Sequence, residues 1–585
     1  MISKFVLKYW YLILITVLLV AVQAVISLYL PDLMSDIVDK GIVKGDTGYI
    51  WHVGGKMLFV SFIGVLSSII ASYTSSVVSM GLGKDLRNSV FEKVSAFSME
   101  EMSKFSTSSL ITRTTNDVMQ VQQATTMILR MVVMAPIMAV GGIIMAVNKD
   151  AKLTGILAFS LPVMLGGLGL LAAIIAPLFK SMQKKIDKLN LIVRERVTGI
   201  RVIRAFNKEE YEKERFKKAN LDLTNTSLWI NRIGSILFPY MMIVMNFTTI
   251  GIIWFGAKQI DAGTLQVGQM MAVMQYVMQI MFSFIMISVI FIFLPRASVS
   301  AKRISEVLKV QPKIISPISS ELSQKSTLIK KNNSNDSLVR VVEFENVTFR
   351  YPGAKEPVLN NISFKAYPGQ VTAIIGATGS GKTTLLNLIP RFYDATSGSV
   401  KLDGVDVKEI PFEVLRRNIG YATQKPVIFT GTILENIRFG RDWIDDTMVE
   451  RAADIAQVLE FASKYPEGLN YHIEQAGLNL SGGQKQRISL ARAIAGNPKI
   501  YLFDDTFSAL DFKTDAKIRL RLFKETKDAT VIIVAQRVAT IMNADQIIVL
   551  KDGEIVGIGN HDELMRDNET YREIVYSQLS TEETR

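Results

Sequence analysis

The sequence predicts a multidomain membrane protein, all-α in its first half and α/β in its second. Three observations carry this. At 585 residues the chain is too long for one compact domain. Its mean hydropathy is +0.26, 49% of its residues are hydrophobic, and the apolar content is concentrated in the first half. Beyond residue 340, short Val/Ile/Leu runs alternate with helical patterns, as in α/β units.

Apolar runs at Tyr9–Leu30, Met57–Met80, Met127–Val147, Leu153–Phe179, Ile236–Ala257 and Val267–Leu294 each approach or exceed the roughly 20 residues that cross a bilayer. They predict six spans. No small-residue cleavage site follows the first run, so it is expected to be retained. The loop between spans two and three carries Lys84, Arg87, Lys93, Lys104 and Arg113. The loop between spans four and five is richer still, from Lys180 through Arg194, Arg201, Arg204 and Lys218 to Arg232. Basic loops stay cytoplasmic, which puts both loops and both chain ends on that side. Ile192, Val193, Val197, Ile200, Ile203 and Phe206 recur at helical intervals. The spans are therefore expected to continue as helices into the cytosol, the alternative being an amphipathic helix lying on the lipid surface.

The net charge of +12 is explained by these loops. No groove-reading or base-stacking motif accompanies it, which argues against a nucleic-acid partner. The absence of cysteine excludes disulfides, Cys-ligated metals and a Cys nucleophile. Within the spans, Met270, Met274, Met278 and Met281 fall on one face of the sixth, with Gln275 and Gln279 nearby. Polarizable thioethers suit a surface that accepts varied apolar ligands, although such a stripe also serves ordinary helix packing. Arg130 is expected to snorkel toward the headgroups.

Residues 311–340 are rich in Ser, Lys and Asn with no apolar period, which marks a linker between a membrane domain at 1–310 and a soluble domain at 341–585. In the latter, the run Val371–Ile375 leads into Gly376-Ala377-Thr378-Gly379-Ser380-Gly381-Lys382-Thr383, with Thr384 next. This is a complete G-x-x-x-x-G-K-[ST] P-loop, whose glycines let backbone N–H groups cradle phosphates at a helix N-terminus. Lys382 is expected to reach the outer phosphates and the Thr383 hydroxyl to ligate Mg²⁺. Downstream, Leu480-Ser481-Gly482-Gly483-Gln484 opens a second helix, a second phosphate-binding end. One nucleotide does not readily occupy both ends within one compact domain. Two copies face to face, each lending LSGGQ to the other's P-loop, resolve this.

These residues resemble the ABC transporters of exporter type, across essentially the whole chain. The resemblance implies a six-helix transmembrane domain with long cytoplasmic extensions followed by a P-loop NTPase domain, with ATP and Mg²⁺ as cofactors. It assigns adenine stacking to Tyr351, the Walker B magnesium ligand to Asp504, and to Gln424, beside Thr383 and Asp504 at the Mg²⁺, the link from γ-phosphate and Mg²⁺ to the membrane domain. LSGGQ matches the signature and Asp511 the D-loop aspartate. It also implies coupling helices around Lys104–Ile111 and Phe206–Tyr211, the second loop crossing to the partner's ATPase domain.

Two positions depart from the family. After the Walker B aspartate the family has Glu, which polarises the attacking water; here Asp505 stands, its carboxylate about 1.5 Å closer to the backbone. Where the family has a switch histidine, Gln536 stands, which can donate a hydrogen bond but cannot titrate or carry an imidazolium charge. The three histidines, His52, His472 and His561, do not replace it by sequence order. The expected reading is a half of a heterodimeric exporter in a bacterial-type plasma membrane, moving amphipathic or apolar compounds. Its own site is hydrolytically impaired, and its signature completes the site of a partner that carries Glu and His. A slow homodimer and an ATP-gated regulatory membrane protein remain alternatives.

Overall fold

The computed structural model describes residues 2–317 and 341–578; most of the expected linker lies outside the described residues. The chain divides into two compact units, one of residues 1–95 and 107–310, the other of residues 96–106 and 311–585. The short segment Ala96–Ser106 thus groups with the second unit.

Among the described residues, the first unit holds six helices long and apolar enough to cross a membrane: Trp10–Ile42, Thr47–Ser95, Thr107–Lys149, Ala151–Thr198, Glu209–Asp261 and one beginning at Val267, which runs on to Lys309. The expected spans fall on these helices. At about 1.5 Å per residue, helices of 48 to 53 residues are roughly twice the hydrocarbon thickness, as the periodicity past the apolar runs predicts. Helices gain little from apolar burial against lipid, so interhelical polar contacts matter. Thr16 and Thr74 hydroxyls pair at 2.8 Å between the first two spans. Asp39 accepts from the Gly268 backbone N–H at 2.6 Å, joining the first span to the sixth. Asp117 accepts from Ser300 at 2.8 Å, and Lys185 pairs with Asp222 at 2.6 Å.

The stretches expected to hold coupling helices are each broken by a helix boundary. Lys104–Ile111 straddles two helices, Met99–Lys104 and Thr107–Thr112. A reciprocal cap between Ser98 and Glu101 starts the first of them ahead of the expected boundary. Phe206–Tyr211 takes in the turn between two helices and the start of the second. The first is Ile200–Ala205; Asn207, at φ 50°, ends it, and Glu209, Glu210 and Glu212 open the next, where acidic side chains favour an N-terminus.

In the second unit, a six-stranded sheet runs β12-β11-β3-β10-β9-β6 and a four-stranded antiparallel sheet runs β2-β1-β4-β5. Their ranges are β1 Val342–Phe349, β2 Leu359–Ala366, β3 Val371–Gly376, β4 Ser397–Leu402, β5 Val405–Asp406, β6 Ile419–Ala422, β9 Ile500–Asp504, β10 Thr530–Val534, β11 Gln546–Lys551 and β12 Glu554–Gly559; a small pair, β7 Gly431–Thr432 and β8 His472–Ile473, completes the set. The core of the larger sheet is parallel, and side chains alternate between two buried faces. Ala373, Tyr501, Phe503, Val531 and Ile533 enter one core; Ile374, Leu502, Ile532 and Val534 enter the other. A parallel sheet covered on both sides reads as continuous Val/Ile/Leu strands, which these are.

Candidate functional site

The P-loop is built where β3 ends. The chain turns through Gly379 and Gly381, at φ 87° and 97°, a region open to glycine at no steric cost. A Cβ on Gly381 would also meet Leu359 at 2.7 Å and the Val358 carbonyl at 3.0 Å. The helix Lys382–Leu388 follows, its N-terminal amides turned toward the loop. Lys382 Nζ donates to the Gly376 and Ala377 carbonyls, each at 2.7 Å, and to Ser380 Oγ at 3.4 Å. Burial pulls its pKa down, opposed by Asp505 and Asp504. The ammonium is thus held over the loop by neutral carbonyls, free to exchange them for phosphate oxygens.

β9 delivers Asp504, 2% exposed, whose Oδ1 accepts from Thr383 Oγ1 at 3.0 Å. Burial pushes this carboxyl above the ordinary range, with Asp505 adding to the effect and Thr383 and Lys382 opposing it. A hydroxyl and a desolvated carboxylate in contact form an oxygen donor set that fits Mg²⁺. Thr383 and Asp504 would hold the ion, which would supply charge neutralisation at the nucleotide's phosphates.

A prediction follows from the sign of that shift. Without nucleotide, ionised Asp504 costs stability at neutral pH, and the cost disappears as pH falls through its raised pKa toward the ordinary carboxylate range. Asp504→Asn should therefore raise the melting midpoint of the nucleotide-free protein at pH 7 by roughly 2 °C, with a gain that shrinks in acid. The same variant should abolish the Mg²⁺-dependent part of ATP binding. Calorimetry across pH, paired with ATP titrations in Mg²⁺ and in EDTA, checks both.

Asp505 follows at φ 47°, 8% exposed. Its backbone N–H donates to the Val534 carbonyl at 2.9 Å, and its Oδ2 accepts from Gln424 Nε2 at 3.3 Å. Gln424 and Asp505 are thus brought together from segments 81 residues apart. Gln536 is exposed just beyond β10. Tyr351 packs edge-on to Phe349 and Tyr393, at 4.9 and 5.3 Å between centroids, and its hydroxyl pairs with Thr384 Oγ1 at 2.9 Å. The contact with Tyr393 had no sequence signal, since the two residues lie on separate segments.

Ser481 caps the helix Gly482–Ile494 through a reciprocal pair with Gln484: Ser481 N–H donates to Gln484 Oε1 at 2.8 Å, and Gln484 N–H to Ser481 Oγ at 3.3 Å. Leu480 is buried beneath it. Among the described residues, a Cβ on Gly482 would meet nothing within 4 Å, and one on Gly483 would meet only Ala509 and Leu510. The signature therefore lies beside its own D-loop with its glycine edge open. Asp511 caps the helix Phe512–Glu525, accepting from Thr514 N–H at 2.9 Å, and hydrogen bonds from Thr514 lower its pKa. The methionines of the sixth span divide. Met281 is buried, and Met270 and Met274 pack against the same cluster; Met278 is 43% exposed.

The chain matches the ABC transporter transmembrane region over residues 13–305 and the ABC transporter ATPase family over residues 359–508. The chain belongs to the ABC transporter family. It is an ABC transporter, with a transmembrane region and an ATPase domain in one chain, and a multi-pass membrane protein. An ABC transporter ATP-binding protein of Mycobacterium tuberculosis is 41% identical to the transporter, over 95% of this chain and 94% of that one. YfiB of Bacillus subtilis is 36% identical over 97% and 96%. The ATP-dependent lipid A-core flippase of Coxiella burnetii is 28% identical over 98% and 95%. A bacterial Atm1-family ABC exporter with ATP bound has the same fold, with a TM-score of 0.76 at 23% identity and 97% of each chain covered.

Proposed function

We propose that this transporter is one half of a heterodimeric exporter whose own Walker site binds MgATP but hydrolyses it poorly, while its LSGGQ completes the competent site of a non-identical partner carrying Glu and His. The observation that carries this reading is Asp505: a short carboxylate at the position after the magnesium aspartate, tied to Gln424 at 3.3 Å on a left-handed backbone. A reacting group misplaced by about 1 Å costs on the order of a hundredfold in rate. Gln536 adds an uncharged, non-titrating group at the switch position. The signature, by contrast, keeps its cap and its open glycine edge.

In this reading ATP closes two nucleotide domains, and hydrolysis at the partner's site resets them. Nucleotide shifts the two states only by its difference in affinity for them, and hydrolysis supplies direction. The basic loops support cytoplasmic termini, and the relatives in Bacillus and Mycobacterium support a bacterial plasma membrane. The scarcity of charge within the spans favours an amphipathic or lipid-like substrate, in keeping with the flippase relative.

Purifying the chain alone and with candidate partners tests the division of labour. The expected result is slow ATPase alone and fast ATPase only with a partner carrying Glu and His; brisk turnover by this chain alone refutes it.

A further inference from the structure

The backbone of the switch loop is held by a residue far along the chain. Gln578 Nε2 donates to the Gln536 carbonyl at 2.8 Å, and Gln578 Oε1 accepts from the Val538 N–H at 2.9 Å. One side-chain amide thus closes on two backbone groups, one of them belonging to the switch residue itself. We propose that Gln578 is a positioning residue that clamps the switch loop at 536–538 and thereby sets how tightly this subunit's site holds nucleotide.

The clamp is delivered by a rigid element. The helix Glu569–Tyr576 is capped by Asn568, and its Tyr571 and Val575 are fully buried in the main core. Tyr571 is fixed further by its hydroxyl, 2.8 Å from His561 Nδ1. Gln578 N–H then bonds the Val575 carbonyl at 3.0 Å, which orients the side chain toward the loop. On the other side, the loop reaches the reacting region. Asp505, Val534, Ala535 and Arg537 line one small recess, and Asp505 N–H is bonded to the last residue of β10. A shift of 536–538 therefore moves the wall of the Asp505 pocket. The amide offers both the donor and the acceptor this fork uses; a carboxylate offers acceptors alone, and an apolar side chain offers neither.

The proposal is independent of which subunit hydrolyses ATP, because it concerns the geometry of this chain's own nucleotide pocket. The test uses the full-length transporter in nanodiscs, as this chain alone, comparing wild type, Gln578→Ala and Gln578→Met. Hydrogen exchange reports the Val538 amide, and a fluorescent ATP analogue reports release from this chain's site. Losing the clamp should speed Val538 exchange by about three- to tenfold and speed nucleotide release, while the helix Glu569–Tyr576 keeps its protection. Gln578→Met preserves length and apolar bulk, so it should behave like Gln578→Ala. Wild-type behaviour in Gln578→Met would assign a packing role instead and overturn the proposal. Unchanged Val538 exchange in Gln578→Ala, or loss of protection throughout the helix, would overturn it equally.

Discussion

Converting Asp505→Glu together with Gln536→His should raise hydrolysis at this chain's own site by about a hundredfold. The added methylene carries the carboxylate beyond Gln424, now 3.3 Å from Asp505 Oδ2, toward the space where attacking water would stand beside the γ-phosphate. The histidine supplies a group that can titrate and carry charge at the position the family resemblance gives to the γ-phosphate switch. Asp505→Glu alone should recover part of the gain, because only the water-activating carboxylate is repositioned. The backbone at 505 sits at φ 47°, a region Asp tolerates better than longer side chains, so the gain comes with a small loss of stability. Single-turnover hydrolysis in the assembled pair, with the partner's Walker site disabled, reads this site in isolation. No change in rate would mean that reach at 505 is not what limits it.

The second large effect lies on the opposite side of the division of labour. Gly482→Asp should reduce ATPase of the assembled pair by a hundredfold or more, on the order expected for losing a preorganised group at a phosphate, while ATP binding to this chain's P-loop is unchanged. A Cβ at Gly482 would meet nothing within 4 Å, so the substitution does not strain the chain that carries it. What it alters is an open helix N-terminus, where an added carboxylate repels phosphate and blocks its approach. Ser481→Ala is a less clean probe, since it also removes the helix cap at a cost of about 1 kcal/mol. ATPase of the pair, measured alongside nucleotide affinity of this chain, separates the two sites. If Gly482→Asp left turnover intact, the signature would have no part in the active site.

What could be read from the sequence was whatever depends on residue type over a long window or on a fixed spacing. Six apolar runs located six helices, because crossing lipid demands an uninterrupted apolar stretch. The P-loop located β3 and its helix, because left-handed turns at Gly379 and Gly381 are what the glycines are for. Helix ends were less legible. The turn at Asn207 and the cap between Ser98 and Glu101 set helix boundaries that the family resemblance had marked only roughly. The methionine stripe was legible as a face and not as a role, since a period of 3.6 says which residues share a side and not what covers it: Met281 is core and Met278 is exposed. Contacts made by distant segments left no local trace. Tyr393 against Tyr351, Gln424 against Asp505 and Gln578 on the switch loop required the fold to bring them together.

The central claim is that this subunit holds ATP without breaking it down. The direct measurement is the identity of the nucleotide on each chain of the working pair: load photoreactive, α-labelled ATP, allow turnover, crosslink, and analyse what is attached to each P-loop. The account predicts intact triphosphate on the peptide containing Lys382 and diphosphate on the partner's. Diphosphate accumulating on the Lys382 peptide at the rate of turnover would contradict it.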